Sequence, residues 1–213
     1  MKPQSIAWSI LAATAAAAAP ACATEGGTGA YLLGSRDSMS GIVPPPGTYV
    51  SVDTIWLDAR VDSLSIGGVV LANAHSDVFL TKFNLTRGFE GRVLGGRPAI
   101  TLTVPVVTGD LEFDSVLFGS SRRVKDSQTG LGDIILTPGL GWDKGNRHIA
   151  FQTSFFLPTG YYEKASVDVP GRQLTALSFG KNRAAILPVV SITNMNPSNG
   201  REFSASTGIT FSF

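Results

Sequence analysis

Residues 130–160 read GLGDIILTPGLGWDKGNRHIAFQTSFFLPTG, and this stretch decides the fold. Both halves alternate between apolar and small or polar residues, and the polar segment 143–146 separates them. Period-2 alternation on both sides of a turn rich in Gly, Asn and Asp predicts a β-hairpin. One face of the predicted hairpin carries Ile134, Leu136, Pro138, Leu140, Trp142, Ile149, Phe151, Phe155 and Leu157, and the only apolar exception in the first half is Ile135.

The environment of the apolar face distinguishes two classes of protein. In a soluble sheet that face covers a core, whereas in an outer-membrane barrel it contacts lipid and the polar face lines a water-filled lumen. Each predicted arm has about ten residues, which is the length that a tilted strand needs to cross a bilayer. Since both classes give the same alternation, the rest of the chain must decide between them.

The composition is that of a β-rich exported protein. Charged residues make up 15% of the 213-residue chain, and it contains 24 glycines. That charged fraction is well below the roughly 25% of ordinary soluble domains. A secreted soluble β-sandwich fits these values almost as well as a membrane barrel does.

The N-terminus has the features of a secretory signal peptide. Lys2 supplies the positive charge, residues 6–19 form a short apolar run, and Ala21 and Ala23 are the small residues of a cleavage site. We therefore predict a signal peptide over residues 1–23, cleaved near Ala23, and one β-barrel domain over residues 24–213. A lipoprotein signal around Cys22 is the weaker alternative, because Pro20 replaces the usual context.

The predicted mature chain has little chemistry beyond its strands. Cys22 is the only cysteine and Lys2 the only charged residue of the signal peptide, so cleavage leaves no thiol and a balanced charge. A balanced charge gives no indication of nucleic-acid binding. No run of about 18 apolar residues follows the signal peptide, so no spanning helix is predicted. The outer membrane and the periplasm remain as locations.

The last 13 residues, 201–213, favour the outer membrane. Apolar residues and threonine occupy every second position up to the terminal Phe213, and Glu, Ser, Gly and Thr occupy the others. An alternating final strand that ends in an aromatic residue resembles the signal by which the barrel-assembly machinery recognises bacterial barrels. We therefore predict that this strand is the contact with that machinery.

Several motifs occur together in a fixed order along the chain. They are residues 25–27 (EGG), 41–49 (GIVPPPGTY), 130–133 (GLGD), 137–138 (TP), 156–162 (FLPTGYY) and 180–183 (GKNR). On these motifs the chain resembles the phenol-degradation MetA-pathway family, a group of predicted outer-membrane barrels. The resemblance implies transport or passive uptake of hydrophobic or aromatic small molecules. Family members usually continue for several strands after a segment like residues 202–211, so we expect a short or a truncated member.

No catalytic, cofactor or metal site is predicted. The two histidines, His75 and His148, lie in separate predicted strands, and no spacing of His, Cys, Asp or Glu indicates a metal site. An outer-membrane hydrolase is a remote alternative, with His148 near Asp143 at the rim of a barrel. We therefore predict that the protein is not an enzyme.

The sequence thus predicts an all-β, antiparallel, up-and-down transmembrane barrel of about 8–10 strands in the outer membrane of a Gram-negative cell. Its partners would be outer-membrane lipid and hydrophobic or aromatic small molecules. A periplasmic β-sandwich binding protein and a structural barrel without transport are the alternatives. The predicted lumen-facing residues are Asp133, Thr137, His148, Gln152, Ser154, Glu202, Ser204 and Ser206. The predicted lipid-facing residues are Ile134, Leu136, Trp142, Phe151, Phe155, Phe203, Ile209 and Phe211.

Overall fold

The regular structure of the described residues is entirely β. The computed structural model describes residues 38–66, 69–115, 122–162, 166–168, 173–175, 179–180 and 182–213, so the predicted signal peptide lies outside it. Within these ranges, no helix has the length and apolar character needed to cross a membrane. The strands are β1 (Gly47–Ile66), β2 (Val69–Gly88), β3 (Arg97–Ser115), β4 (Arg122–Leu131), β5 (Ile134–Lys144), β6 (Arg147–Leu157), β7 (Ser166–Asp168), β8 (Gln173–Thr175), β9 (Ala185–Asn196), β10 (Arg201–Gly208) and β11 (Phe211–Ser212).

Nine of these strands form one antiparallel sheet. Its order is β1-β2-β3-β5-β6-β9-β10, with β4 paired to the second half of β3 and β11 paired to the start of β9. The short strands β7 and β8 form a separate hairpin. Neighbours along the path follow one another in the chain apart from short insertions, so the topology is up-and-down. This confirms the predicted all-β, antiparallel class.

The hairpin of residues 130–160 forms as predicted. Strands β5 and β6 pair from Ile134 with Leu157 to Lys144 with Arg147. The turn is shorter than predicted and consists of Gly145 and Asn146. Gly145 has φ +58°, a left-handed conformation that glycine adopts without the steric cost of a side chain.

Three segments differ from the predicted strand pattern. The apolar, glycine-containing sequence of residues 63–74 predicts one weak strand, but these residues belong to the end of β1 and the start of β2. The sequence pattern predicts separate strands over residues 97–107 and 108–118, but both lie on the single strand β3 as far as Ser115. The polar sequence of residues 119–129 predicts a loop, but from Arg122 these residues form β4. Their polar sequence has no alternation to reveal a strand; the long β3 provides the partner.

One face of the sheet carries a continuous row of apolar side chains. The register aligns one residue from each of β1, β2, β3, β5, β6, β9 and β11, and all seven are apolar: Val50, Leu85, Leu102, Leu136, Phe155, Ile186 and Phe211. Neighbouring rows on this apolar face carry Trp56, Phe79, Phe83, Phe151 and Val190, all exposed. A soluble monomer rarely exposes a contiguous apolar surface of this extent.

The opposite face, here called the inner face, is the more buried one. Ala150, Leu187 and Val189 are at most 4% exposed, and so are the polar residues Ser191 and Thr193. Phe151, which follows the buried Ala150 on β6, is 43% exposed. The strands therefore bury hydroxyl groups and expose aromatic rings, the reverse of the usual arrangement in a soluble sheet.

Three glycines meet where β4 passes into β5. A Cβ on Gly160 would lie 2.6 Å from the carbonyl carbon of Gly132 and 2.8 Å from the Cα of Gly180. The backbone bonds from Gly180 N to Tyr161 O (2.7 Å) and from Tyr161 N to Leu131 O (2.8 Å) hold the three segments together. Backbone atoms on both sides leave no room for a side chain.

We predict that Gly160→Ala destabilises the protein, because neither neighbouring backbone segment can move without breaking these hydrogen bonds. The free energy of unfolding should fall by about 1–3 kcal/mol, as in other overpacked sites. The measurement is urea unfolding followed by tryptophan fluorescence. Gly91→Ala is the control, since its φ of +83° carries a backbone cost of about 1–2 kcal/mol but nothing lies within 4 Å. A Gly160→Ala variant as stable as the wild type would contradict the close contact.

Candidate functional site

Pairs of hydroxyl and amide side chains span neighbouring strands on the inner face. Thr86 and Thr101 are joined at 2.9 Å, and Thr137 and Ser154 at 3.0 Å. Further pairs are Thr103 with Asn84 (2.7 Å), Asn84 with Asp53 (2.8 Å), Ser191 with Ser206 (2.8 Å) and Thr193 with Ser204 (2.6 Å). Each pair satisfies polar atoms that would otherwise be costly to bury.

A segment preceding β1 crosses this inner face. Residues 39–46, here called the strap, contact the β10 end of the sheet first and lead into β1 at Gly47. Met39 N donates to Glu202 Oε1 (2.5 Å), Gly41 N to Thr193 Oγ1 (2.9 Å) and Ser206 Oγ to Ser40 Oγ (2.9 Å). The strap therefore bonds to β9 and β10 through three direct hydrogen bonds.

The middle of the strap lies on positions without bulky side chains. Val43 is 2% exposed, and a Cβ on Gly141 of β5 would lie only 2.6 Å from its Cβ. A Cβ on Gly88 of β2 would similarly collide with the carbonyl oxygen of Pro45. The inner-face rows beneath the strap contain Gly88, Ala99, Gly139, Gly141, Ala150 and Gly208. Small residues in the sheet thus make room for the strap.

A charged cluster lies beside the strap at the end of the β5–β6 hairpin. Asp143 accepts a hydrogen bond from Arg97 Nη2, and its other oxygen lies 2.6 Å from Nδ1 of His148. These three side chains are between 17% and 32% exposed. The backbone oxygen of His148 would lie 2.8 Å from a Cβ on Gly41. The strap therefore passes directly over His148.

Seven of the eight predicted lumen-facing residues lie on the strands of the inner face: Thr137, His148, Gln152, Ser154, Glu202, Ser204 and Ser206. Glu202 and Ser206 bond to the strap, and Ser204 reaches it through Thr193. Thr137 and Ser154 form a separate pair. Asp133 instead lies in the break between β4 and β5, where its Oδ1 accepts from Gly160 N at 2.9 Å.

The sequence interpretation missed the strap and its partners. The prolines predict that residues 41–47 are an extended entry to the first strand, and the segment does lead into β1 at Gly47, but this prediction says nothing of its contacts. The three prolines, Pro44–Pro45–Pro46, excluded the segment from the sheet. No local signal links Gly41 to Thr193, which follows it by 152 residues.

A second charged group lies on the apolar face at the far end of the β1–β2 hairpin. His75 Nε2 is 3.0 Å from Asp58 Oδ1 and 3.5 Å from Asp77 Oδ2. One ligand atom from each residue lies within 4.8 Å of the others, so the group has the donors of a metal site. The sequence interpretation missed it because only the register aligns Asp58 with Asp77. Exposed acidic groups of this kind are common without a metal ion.

The comparisons with known proteins identify a family. Residues 60–213 match the family model described as "Putative MetA-pathway of phenol degradation". The chain belongs to this family. Neither a curated protein nor a solved structure matches the chain. The match begins within β1, so the strap lies before the matched region.

The contact between Gly132, Gly160 and Gly180 involves motifs of this family. The motifs GLGD, FLPTGYY and GKNR, through which the chain resembles this family, are distant in sequence but meet at the β4–β5 break. Asp133 accepts from Gly160 N, Thr159 Oγ1 accepts from Ile134 N at 3.0 Å, and Gly180 N donates to Tyr161 O. These motif residues thus hold the sheet together at the break between β4 and β5.

We predict that Asp143→Ala lowers the free energy of unfolding by about 1–3 kcal/mol, because Arg97 and His148 both lose their hydrogen-bond partner in a partly buried site. Asp58→Ala is the matched control. Its carboxylate is 38% exposed and pairs with Arg60, which is 73% exposed, and with His75, which is 35% exposed, so less than about 1 kcal/mol is expected. Urea unfolding of both variants gives the comparison, and equal losses would show that the inner cluster is no stronger than an exposed ion pair.

Proposed function

We propose that the protein is an outer-membrane β-barrel that passes hydrophobic or aromatic small molecules, and that it acts in the phenol-degradation context named by its family. The observation that carries this proposal is the reversed polarity of the sheet. Aromatic and aliphatic side chains are exposed on one face of the strands of the main path, apart from β5, where they are partly exposed, and hydrogen-bonded hydroxyls are buried on the other face. That is the polarity of a barrel wall between lipid and a polar lumen.

The height of the apolar face supports a membrane location. Leu136 on β5 and Val50 on β1 lie in the same row of the sheet. The apolar face extends about six residues from this row to Trp142 on β5 and about six in the other direction to Trp56 on β1, which gives about 12 residues in total. At about 3.3 Å per residue and a tilt of about 40°, this corresponds to a band about 30 Å high. The hydrocarbon core of a bilayer has about this thickness.

The ends of the band support the same location. Trp142 lies at one end, where its Nε1 donates to the carbonyl of Leu94 at 3.1 Å. At the other end Trp56 pairs with Phe79, and the charged residues Asp58 and Asp77 occupy the next positions on that face. Aromatic rings with polar partners at both limits of an apolar band match the interface girdles of membrane barrels.

Closure of the barrel sets a requirement on the strand number. The path contains seven antiparallel strands, so its end strands β1 and β10 run in the same direction. Direct pairing between them would be parallel, whereas bacterial barrels close with an even number of antiparallel strands. A closed wall therefore needs a further strand between β10 and β1.

The alternative of a periplasmic β-sandwich requires a second sheet over the apolar face. Among the described residues, the second sheet consists only of β7 and β8, with three residues each. That area is too small to cover seven strands. We also assign no catalytic residue. Asp143 bonds to Nδ1 of His148, as in a Ser-His-Asp triad, but among the described residues no serine hydroxyl is hydrogen-bonded to the His148 ring.

Cell fractionation and flux measurements test the proposal. The full chain, expressed in a Gram-negative host, should partition with the outer membrane and migrate differently on a gel before and after boiling. Reconstituted vesicles should then admit phenylalanine faster than a monosaccharide of similar mass. Soluble periplasmic protein would support the binding sandwich. A heat-modifiable barrel in the outer membrane that passes neither solute would support a structural barrel.

We predict that Phe151→Arg impairs membrane assembly far more than Gln152→Arg. Phe151 lies on the apolar face and Gln152 on the inner face, so the two neighbouring positions form a matched pair. An arginine facing lipid should cost roughly 2–4 kcal/mol near the midplane, and much less on the lumen side. The measurement is the heat-modifiable fraction in the outer membrane, and equal assembly of both variants would show that the proposed register is wrong.

A further inference from the structure

The strap occupies the part of the inner face that the proposed function needs to be open. It crosses the inner face of the sheet from β10 through β9 and β5 to β2, and Val43 within it is buried. These contacts lie near the end of the sheet that carries the β5–β6 and β9–β10 turns. In a barrel, a segment in this position lies across the lumen.

We infer that the strap is a plug which closes the proposed conduit at this end, and that solutes pass only when it leaves the inner face. This inference rests on the proposed function and adds its regulation. The parts that form the plug seat are Glu202, Thr193 and Ser206 for the hydrogen bonds and Gly141 and Gly88 for the space.

The strap is held by side chains and not by a strand ladder. Its three prolines lack backbone N–H donors, so the segment cannot pair as a strand in the sheet. Met39 N and Gly41 N donate hydrogen bonds to side chains of the sheet, and Ser40 Oγ accepts one from Ser206. Few bonds must therefore break for the strap to leave.

The wall keeps its own hydrogen bonds when the strap leaves. Thr193 Oγ1 also bonds to Ser204 at 2.6 Å, and Ser206 Oγ also bonds to Ser191 at 2.8 Å. Glu202 Oε1 also accepts from Ser204 Oγ at 2.6 Å. Each wall residue that bonds the strap thus has a second partner within the wall. The inner face is satisfied with the strap present and with the strap absent, as a two-state element requires.

The strap stays attached to the wall at its other end. It continues directly into β1 at Gly47, and the Tyr49 hydroxyl donates to Pro45 O at 3.1 Å. The release that we infer is therefore a movement of residues 39–43 away from β9 and β10, with the start of β1 as its fixed end.

A reversible cross-link tests this inference. Ser40→Cys with Ser206→Cys replaces two hydroxyls 2.9 Å apart by thiols, in a Cys22→Ser background that leaves no other cysteine. Proteoliposome flux of phenylalanine should fall roughly tenfold on oxidation and recover with reductant. In each single-cysteine variant, which cannot form the intramolecular bond, oxidation should not change the flux. Equal flux before and after quantitative cross-linking would overturn the plug and leave the conduit intact.

A pair of glycine variants tests release from the opposite direction. Gly141→Ala places a methyl group against Val43 and should raise the flux of phenylalanine several-fold by displacing the strap. Gly139→Ala lies two residues earlier on the same face. Its added methyl group meets Gln152 Cγ at 2.8 Å and Phe151 O at 3.2 Å, and no strap atom is among its nearest contacts, so this variant should not change the flux. Equal flux in both variants would overturn the plug. If the wild type, Gly141→Ala and the reduced cysteine variant all form heat-modifiable barrels but pass no solute, the proposed conduit itself is wrong.

Discussion

The fold depends on one constraint, which is that every backbone group of a strand must pair with a neighbouring strand while its side chains alternate between two unlike surroundings. A shift of one residue in any strand would exchange those surroundings, so the register is strongly specified. The row from Val50 to Phe211 shows the result, because seven strands place an apolar residue at the same level. The position of every inner hydroxyl follows from this register.

The inner face solves a packing problem by using small residues and hydrogen bonds. Glycine and alanine occupy positions in the rows beneath the strap, and Ser or Thr pairs occupy others. Hydroxyls in these pairs donate and accept at once, and several have two partners. The same property that lets them be buried also lets a segment be added or removed without leaving an unsatisfied group.

Alternation made part of this structure predictable. The hairpin of residues 130–160 and the assignment of Gln152 and Phe151 to opposite faces followed from period 2 alone. Strand β4 did not, because its residues beyond Arg122 are mostly polar and its partner is the distant end of β3. Asp133 has the parity of the inner face, but the strand breaks at that residue. The contact residues of the strap could not be predicted for a similar reason, since only the folded sheet brings Thr193 next to Gly41.

The prolines of the strap explain why this segment lies against the sheet without becoming one of its strands. A segment with free N–H groups beside a sheet would extend the sheet at an open edge, and β1 and β10 are the ends of the strand path. Pro44, Pro45 and Pro46 remove those donors immediately before β1 begins. The segment is therefore directed across the inner face instead of along an edge. Glycine at positions 88 and 141 completes this arrangement, because the sheet offers space only where the strap crosses it.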